Sequence, residues 1–332
     1  MKAHGGTSYS DALAQPVRPR RSDGGNVGVL SAWEHGGVDD LRLIRDRARR
    51  TLAAAGLTSP SEADILLSSC LGMSRGELEL ALLRGDAIDA DTKRRLEDAV
   101  ERRRRREPLQ HITGRAPFWD MELEVGPGVF VPRPETELLV ELALTELAEL
   151  GSTDAPGVLE FCAGSGAIAL ALARALPRSR VVTVEASPEA WPWLRRNVAR
   201  YGDGRVEARF GRLEEPSITT GLEQSETRPA VIVSNPPYIP SRNVPQDPEV
   251  RRADPEEALF SGEDGLDLIR AILERSEALL PPGGALFLEH DESQGPAIRA
   301  LFAARGWHDP STHQDLLGRD RVSRARRPGA AK

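Results

Sequence analysis

Asn235-Pro236-Pro237-Tyr238 closes an apolar run, Val231-Ile232-Val233-Ser234, and combines residue types suited to one kind of chemistry. Proline cannot donate to a β-ladder, so a strand must stop here, and its fixed φ holds the adjoining backbone rigid. In an open parallel sheet, ligands bind at the C-terminal ends of strands. An amide or aryl NH2 is a weak nucleophile because its lone pair is delocalised, the same resonance that keeps peptide bonds planar. A site for it needs two acceptors, one per N–H, placed so that the nitrogen can pyramidalise toward an electrophile. The Asn235 side-chain oxygen and the Pro236 carbonyl are suited to that task, Pro237 stiffens the corner, and Tyr238 can pack on the planar group. These four are the candidate catalytic residues, for an in-line displacement at a sulfonium methyl driven by positioning and electrostatic stabilisation. The chemistry calls for no metal.

A second constellation lies upstream, in Glu160-Phe161-Cys162-Ala163-Gly164-Ser165-Gly166. Gly164 and Gly166 permit a tight turn and let backbone N–H groups approach a ligand where the next helix begins. Glu185 follows at the end of the next apolar run, where a carboxylate can accept both hydroxyls of a ribose. These features suit NAD as well as S-adenosylmethionine. Glu160 favours the latter, because a carboxylate ahead of the turn repels a pyrophosphate but attracts ammonium and sulfonium charges.

The elements that must position these residues fall into two textures. From Asp39 to about residue 110, apolar residues recur at helical spacing (Leu41, Ile44, Ala48, Leu52), which predicts an all-helical module. Ser59 and Glu62 have the spacing of a capping box. The basic run Arg102–Arg106 suits a helix C-terminus and reads as a solvated face. Residues 111–133 read as a linking hairpin, Phe118–Val125 with Val129–Val131, and a helix is expected from Pro134 to Leu150. Strands and helices then alternate from Val158 to Arg324, which predicts a mostly parallel sheet covered on both faces. Residues 1–38, rich in Gly, Ser, Pro and Arg, read as a disordered extension.

The 332-residue chain has room for two domains, and its net charge of -7 argues against a protein that binds chiefly by neutralising phosphates. It shows no apolar run long enough for a membrane span and no secretory h-region, so a cytoplasmic setting is expected. Cys70 and Cys162, far apart, are expected as reduced thiols. His290-Asp291-Glu292 is the nearest approach to a metal box and reads as none.

Taken together, the motifs resemble the release factor glutamine methyltransferase (HemK/PrmC) family. The resemblance is carried by Gly114-Arg115 with Phe118, Phe130-Val-Pro-Arg-Pro-Glu-Thr-Glu137, Gly164-Ser-Gly-Ala-Ile168, Asn235-Pro-Pro-Tyr238, Asp264-Gly-Leu-Asp267 and Asp315-Leu-Leu-Gly-Arg-Asp-Arg-Val322. It implies an α/β fold: a class I, Rossmann-like methyltransferase domain over 134–332 with a mostly parallel seven-stranded sheet, behind a small helical substrate-recognition domain over 39–110. It also implies S-adenosylmethionine as donor and, as protein partner, class 1 peptide chain release factors, methylated at the N5 of the Gly-Gly-Gln glutamine. No stable nucleic-acid binding and no membrane are implied. By the same resemblance the donor lies against Glu160, Cys162, Ala163, Gly164, Ser165, Gly166, Glu185, Leu213 and Asn235, with Phe130, Arg133 and Thr136. The glutamine amide lies against Asn235–Tyr238.

The chain reads as a divergent member: Glu160 and Glu185 stand where the family usually has Asp, Cys162 where it has Gly, and Arg212 where an acidic residue meets the adenine. Cys162 lacks glycine's freedom at positive φ and is expected in an ordinary conformation. Two other readings share parts of the pattern. An adenine-N6 methyltransferase on DNA or RNA would share Asn-Pro-Pro-Tyr, and a non-catalytic nucleotide-binding module or dinucleotide oxidoreductase would share the glycine turn.

Overall fold

The computed structural model describes residues 40–150, 156–222, 228–243, 249 and 255–329, and the extension expected over 1–38 lies outside them. Five helices come first: α1 (Leu41–Ala54), α2 (Pro60–Leu71), α3 (Arg75–Arg84), α4 (Ala90–Arg104) and α5 (Leu109–Thr113). Their apolar stripes meet in one core around Leu41, Leu52, Leu66, Leu78 and Leu96, all essentially unexposed.

Two local expectations fail here for one reason. Ser59 makes no side-chain cap, and the reciprocal capping box sits at Ser74 and Glu77 instead. Glu62 is drawn away to Arg103, whose Nε and Nη2 donate to it at 2.6 and 3.1 Å. Arg103 is therefore not part of a solvated face. It is 6% exposed and also donates to Glu249 at 2.9 Å. Of its neighbours, Arg106 donates to the Ala55 carbonyl and the half-buried Arg102 pairs with Glu107, while Arg105 stays on the solvated face. A guanidinium taken out of water must find carboxylates, and these bonds tie α4 to α2 and to Glu249.

The hairpin is β1 (Arg115–Phe118) with β2 (Met121–Glu124). Val129–Val131, expected as its continuation, forms no strand; it packs as a buried loop against Ala116, Val125 and Ala190. The Val129 carbonyl is taken by His111 Nε2 at 3.1 Å, a side-chain partner in place of a ladder. The next helix also begins later than expected. Pro134–Thr136 is a 3-10 turn, closed by the Thr136 N–H on the Arg133 carbonyl, and α6 runs from Glu137 to Glu149.

Alternation then follows: β3 (Gly157–Phe161), α7 (Ala167–Ala175), β4 (Arg180–Glu185), α8 (Trp191–Tyr201), β5 (Val206–Phe210) and β6 (Pro229–Ser234). It continues with α9 (Asp267–Leu279), β7 (Ala285–Glu289), α10 (Gly295–Ala304), β8 (His308–Gln314) and β9 (Asp320–Arg326). The described strands form a seven-stranded sheet in the order β5-β4-β3-β6-β7-β9-β8, parallel except for β9, which is antiparallel to both neighbours. One apolar layer joins it to α6 and α7, and a second joins it to α9 and α10. This is the mostly parallel, doubly covered sheet that the alternation predicts. Because β3 is flanked by β4 on one side and β6 on the other, the chain crosses over between them and leaves a crevice at their C-terminal ends.

Candidate active site

A cavity of about 800 Å3 opens at that crevice, enough for a nucleoside-sized molecule with room to spare. The end of β6 delivers Asn235, Pro236, Pro237 and Tyr238 to its wall. Asn235 Nδ2 donates to Thr136 Oγ1 at 3.3 Å, which leaves Oδ1 free of that contact. Beyond the corner, Ile239 pairs with Phe260, and Tyr238 is anchored by its carbonyl, which accepts from Gln294 Nε2 at 2.9 Å. Gly265 explains part of the Asp264-Gly-Leu-Asp267 motif. With φ of 76° it passes so close that a Cβ would lie 2.2 Å from the Tyr238 carbonyl oxygen. Burial pushes the Tyr238 phenol well above its ordinary range, so it stays neutral as a packing surface.

The turn after β3 lines the same cavity through Cys162, Ala163, Gly164 and Ser165. Glu185, at the end of β4, faces it too. Its two oxygens accept from the Gly164 and Ser187 N–H groups, each at 2.6 Å. Burial raises its pKa, and those N–H groups hold the rise back. Asn197 fixes the turn from behind, since its Nδ2 donates to the Ser165 and Glu124 carbonyls. Phe130, Arg133, Thr136 and Leu213 complete the expected set on the wall, with the Arg133 guanidinium 5.2 Å over the Phe130 ring.

Two expected residues are not on the wall. Gly166 begins α7 at φ 84°, where an added Cβ would strike Leu194 at 2.7 Å, so its glycine serves helix packing. Glu160 is fully buried, accepts from the Thr183 hydroxyl, and leaves Oε1 without a partner. Burial pushes its carboxyl up to about 8, with the nearby Glu185 adding to the rise. The direct attraction of a cationic ligand expected of Glu160 is therefore not what this geometry offers.

Cys162 also corrects an expectation, because it sits at φ 62°. The Ala163 N–H is fixed on the Val184 carbonyl at 3.1 Å and the Gly166 N–H on the Ala163 carbonyl at 2.8 Å. Those bonds impose a left-handed residue between strand and turn, at a cost of roughly 1–2 kcal/mol for a side chain other than glycine. Its thiol is free, as is that of Cys70, and burial pushes it up to about 12.

Residue reading missed Glu289 and Arg321, which line the cavity from the end of β7 and the start of β9. The signal was an acid ending an apolar strand, the same signal that marked Glu185. His290 next to it has both ring nitrogens engaged, on the Asp291 carbonyl and Ser323 Oγ, each at 2.8 Å. No helix among the described residues is long and apolar enough to cross a membrane.

Residues 44–114 match the PrmC N-terminal domain family. A protein of Streptomyces coelicolor named release factor glutamine methyltransferase is 45% identical over 284 residues, 85% of this chain and 96% of the relative. Proteins of the same name from Bifidobacterium longum and Deinococcus radiodurans are 40% and 41% identical, covering 84% and 87% of this chain and 96% and 99% of theirs.

Proposed function

The chain belongs to the release factor glutamine methyltransferase family, and on that premise we propose that it methylates the side-chain amide nitrogen of a protein glutamine, with S-adenosylmethionine as donor. The substrate is the Gly-Gly-Gln glutamine of class 1 peptide chain release factors, met in the cytoplasm during translation termination. The observation that carries the reading is the corner at Asn235 and Pro236. Asn235 spends its Nδ2 on Thr136, and no described N–H is directed at the Pro236 carbonyl, so two oxygen acceptors remain for one NH2.

The cavity suits the donor. A Cβ built on Gly164 would meet nothing within 4 Å, so a ligand can close on that backbone from the open side. Glu185, held by two N–H groups, keeps lone pairs for ribose hydroxyls. When bound, S-adenosylmethionine supplies a methyl carbon made electrophilic by its sulfonium and departs as a neutral thioether. Asn235 Oδ1 and the Pro236 oxygen accept the two N–H bonds of the amide and aim its lone pair. They also stabilise the positive charge that grows on nitrogen, and one of the two protons they hold then leaves to water. Tyr238, neutral and half-buried, offers a flat wall to the amide plane.

The test is to incubate the protein with donor and a class 1 release factor and map the peptides by mass. One added methyl on the Gly-Gly-Gln glutamine is expected. An unmodified glutamine, with donor binding confirmed by calorimetry, rejects that substrate, and methyl incorporation into nucleic acid would favour adenine-N6 chemistry instead.

A further inference from the structure

We infer that Glu289 and Thr136 act as positioning residues that set which way the Asn235 amide faces, making it an acceptor toward the substrate nitrogen. The inference rests on the amide-methylating reading and deepens it. A side-chain amide presents an oxygen at one end and an NH2 at the other, and a half-turn exchanges them at almost no change of shape. Only one of the two orientations can receive an N–H. Something must choose.

Asn235 touches Thr136 Oγ1, and Thr136 is only 3% exposed, so its hydroxyl depends on protein partners. That hydroxyl owns a single proton. Given to Asn235 Oδ1, the proton would turn the asparagine NH2 into the cavity, donor against donor with the substrate. Given elsewhere, it obliges Thr136 to accept from Nδ2 and frees Oδ1.

Glu289 is that other destination. It ends β7, beside the end of β6, is 2% exposed, and lines the cavity. The Thr136 hydroxyl and the Asn235 amide both stabilise its ionised form, and its Oε2 has no hydrogen-bond partner. An ionised carboxylate only accepts. Its charge draws the Thr136 proton and the Asn235 NH2 its way, which sets the direction of the chain: Nδ2 donates to Thr136 Oγ1, and Oδ1 is left for the cavity. Neither the glycine turn nor the diproline corner calls for an acid here, and an under-partnered buried carboxyl costs stability. The orienting role accounts for it.

The direction of the chain depends on protonation. Burial pushes Glu289 up to about 7, opposed by the Thr136 hydroxyl, the Arg321 charge and Asn235, and reinforced by Glu135. Tyr238 also faces it, and is neutral. Of the adjoining residues, burial keeps His290 below the usual imidazole range, while at Asp291 burial is outweighed by the Ser293 hydroxyl and N–H together with Arg321 and His290, which hold it below the usual carboxylate range. Once protonated, Glu289 can donate to Thr136 and reverse the chain, so kcat should rise with pH through this range.

The test uses the full chain with Glu289→Gln, Thr136→Val, Thr136→Ser and the Glu289→Gln/Thr136→Val double variant, each checked for folding by circular dichroism. The first two should lose about tenfold or more in kcat, with the donor Kd within about twofold. Thr136→Ser should keep most of the activity, the double variant should fall no further than the worse single, and Glu289→Gln should lose the pH rise. Wild-type kcat in both single variants, or losses that multiply in the double, would overturn the inference. A second readout needs no substrate: the 15N-edited side-chain NH2 signal of Asn235 should shift with pH in the wild type and stay fixed in Glu289→Gln. A signal indifferent to pH in the wild type overturns the orienting role. A wild type that never methylates glutamine defeats the functional reading instead, while the NMR signal still decides this one.

Discussion

Glu146 on α6 and Glu289 at the end of β7 are both buried beside β9, yet their surroundings differ. Glu146 is 3% exposed and accepts from Arg324 at 2.5 and 3.1 Å and from Arg326 at 2.5 Å. Burial alone would raise its pKa, but the two guanidiniums outweigh burial and hold it below the usual carboxylate range. Glu289 meets hydroxyl and amide groups, has one oxygen unpartnered, and is pushed up to about 7. The first acid is over-compensated and ties α6 to β9. The second is left short of charge partners where a cavity opens. Compensated burial marks scaffold, and incomplete compensation beside a cavity marks a working site.

The contrast can be broken most forcefully at the working site. Asn235→Ala should lower kcat by about a thousandfold, the scale of a lost electrostatic contact to the reacting group, while the donor Kd stays within a few-fold. Steady-state kinetics paired with calorimetry separate the two, and equal losses in both would mean that Asn235 holds the donor and not the acceptor. On the scaffold side, Glu146→Ala leaves two arginines facing a buried gap. Denaturant unfolding should show a loss of about 3 kcal/mol, with kcat of the folded fraction unchanged.

A smaller effect tests the other under-compensated acid. The folded pKa of Glu160 is about 8 against an ordinary 4.5, so the folded state binds the extra proton. Its contribution to stability is whole below the ordinary value and is lost as pH rises through the folded one. Glu160→Gln should therefore melt above the wild type near pH 8.5 and alike near pH 4 in a calorimetric scan; a constant offset at both would deny the raised pKa. The smallest change is Cys162→Gly. Relief of the left-handed strain is offset by added freedom of the unfolded chain, so the net shift should stay within about 1 kcal/mol.

These contrasts were unequally legible in the sequence. Val206–Phe210 alternates apolar and charged residues and Ala285–Glu289 is a short apolar run, each set off by turn residues, and the chain folds both at the positions so read. The corner at Asn235 was readable because two prolines in succession force a strand to end. Arg103 was not, because its partners Glu62 and Glu249 lie far away in sequence and spacing carries no distance between elements. Glu289 carried the signal of an acid ending an apolar strand, but Arg321 stayed hidden because β9 comes beside β7 only through the sheet order. Cys162 misled because its own conformational preference is overruled by bonds its neighbours make.

Methyl transfer here depends on a planar NH2 held by two oxygens at the diproline corner. A crystal structure of this chain with S-adenosylhomocysteine and a Gly-Gly-Gln peptide tests it most directly. The glutamine nitrogen should lie within about 3 Å of both Asn235 Oδ1 and the Pro236 oxygen, facing the sulfur. A glutamine amide bound elsewhere in the cavity, or Asn235 turned to present its NH2, would contradict it.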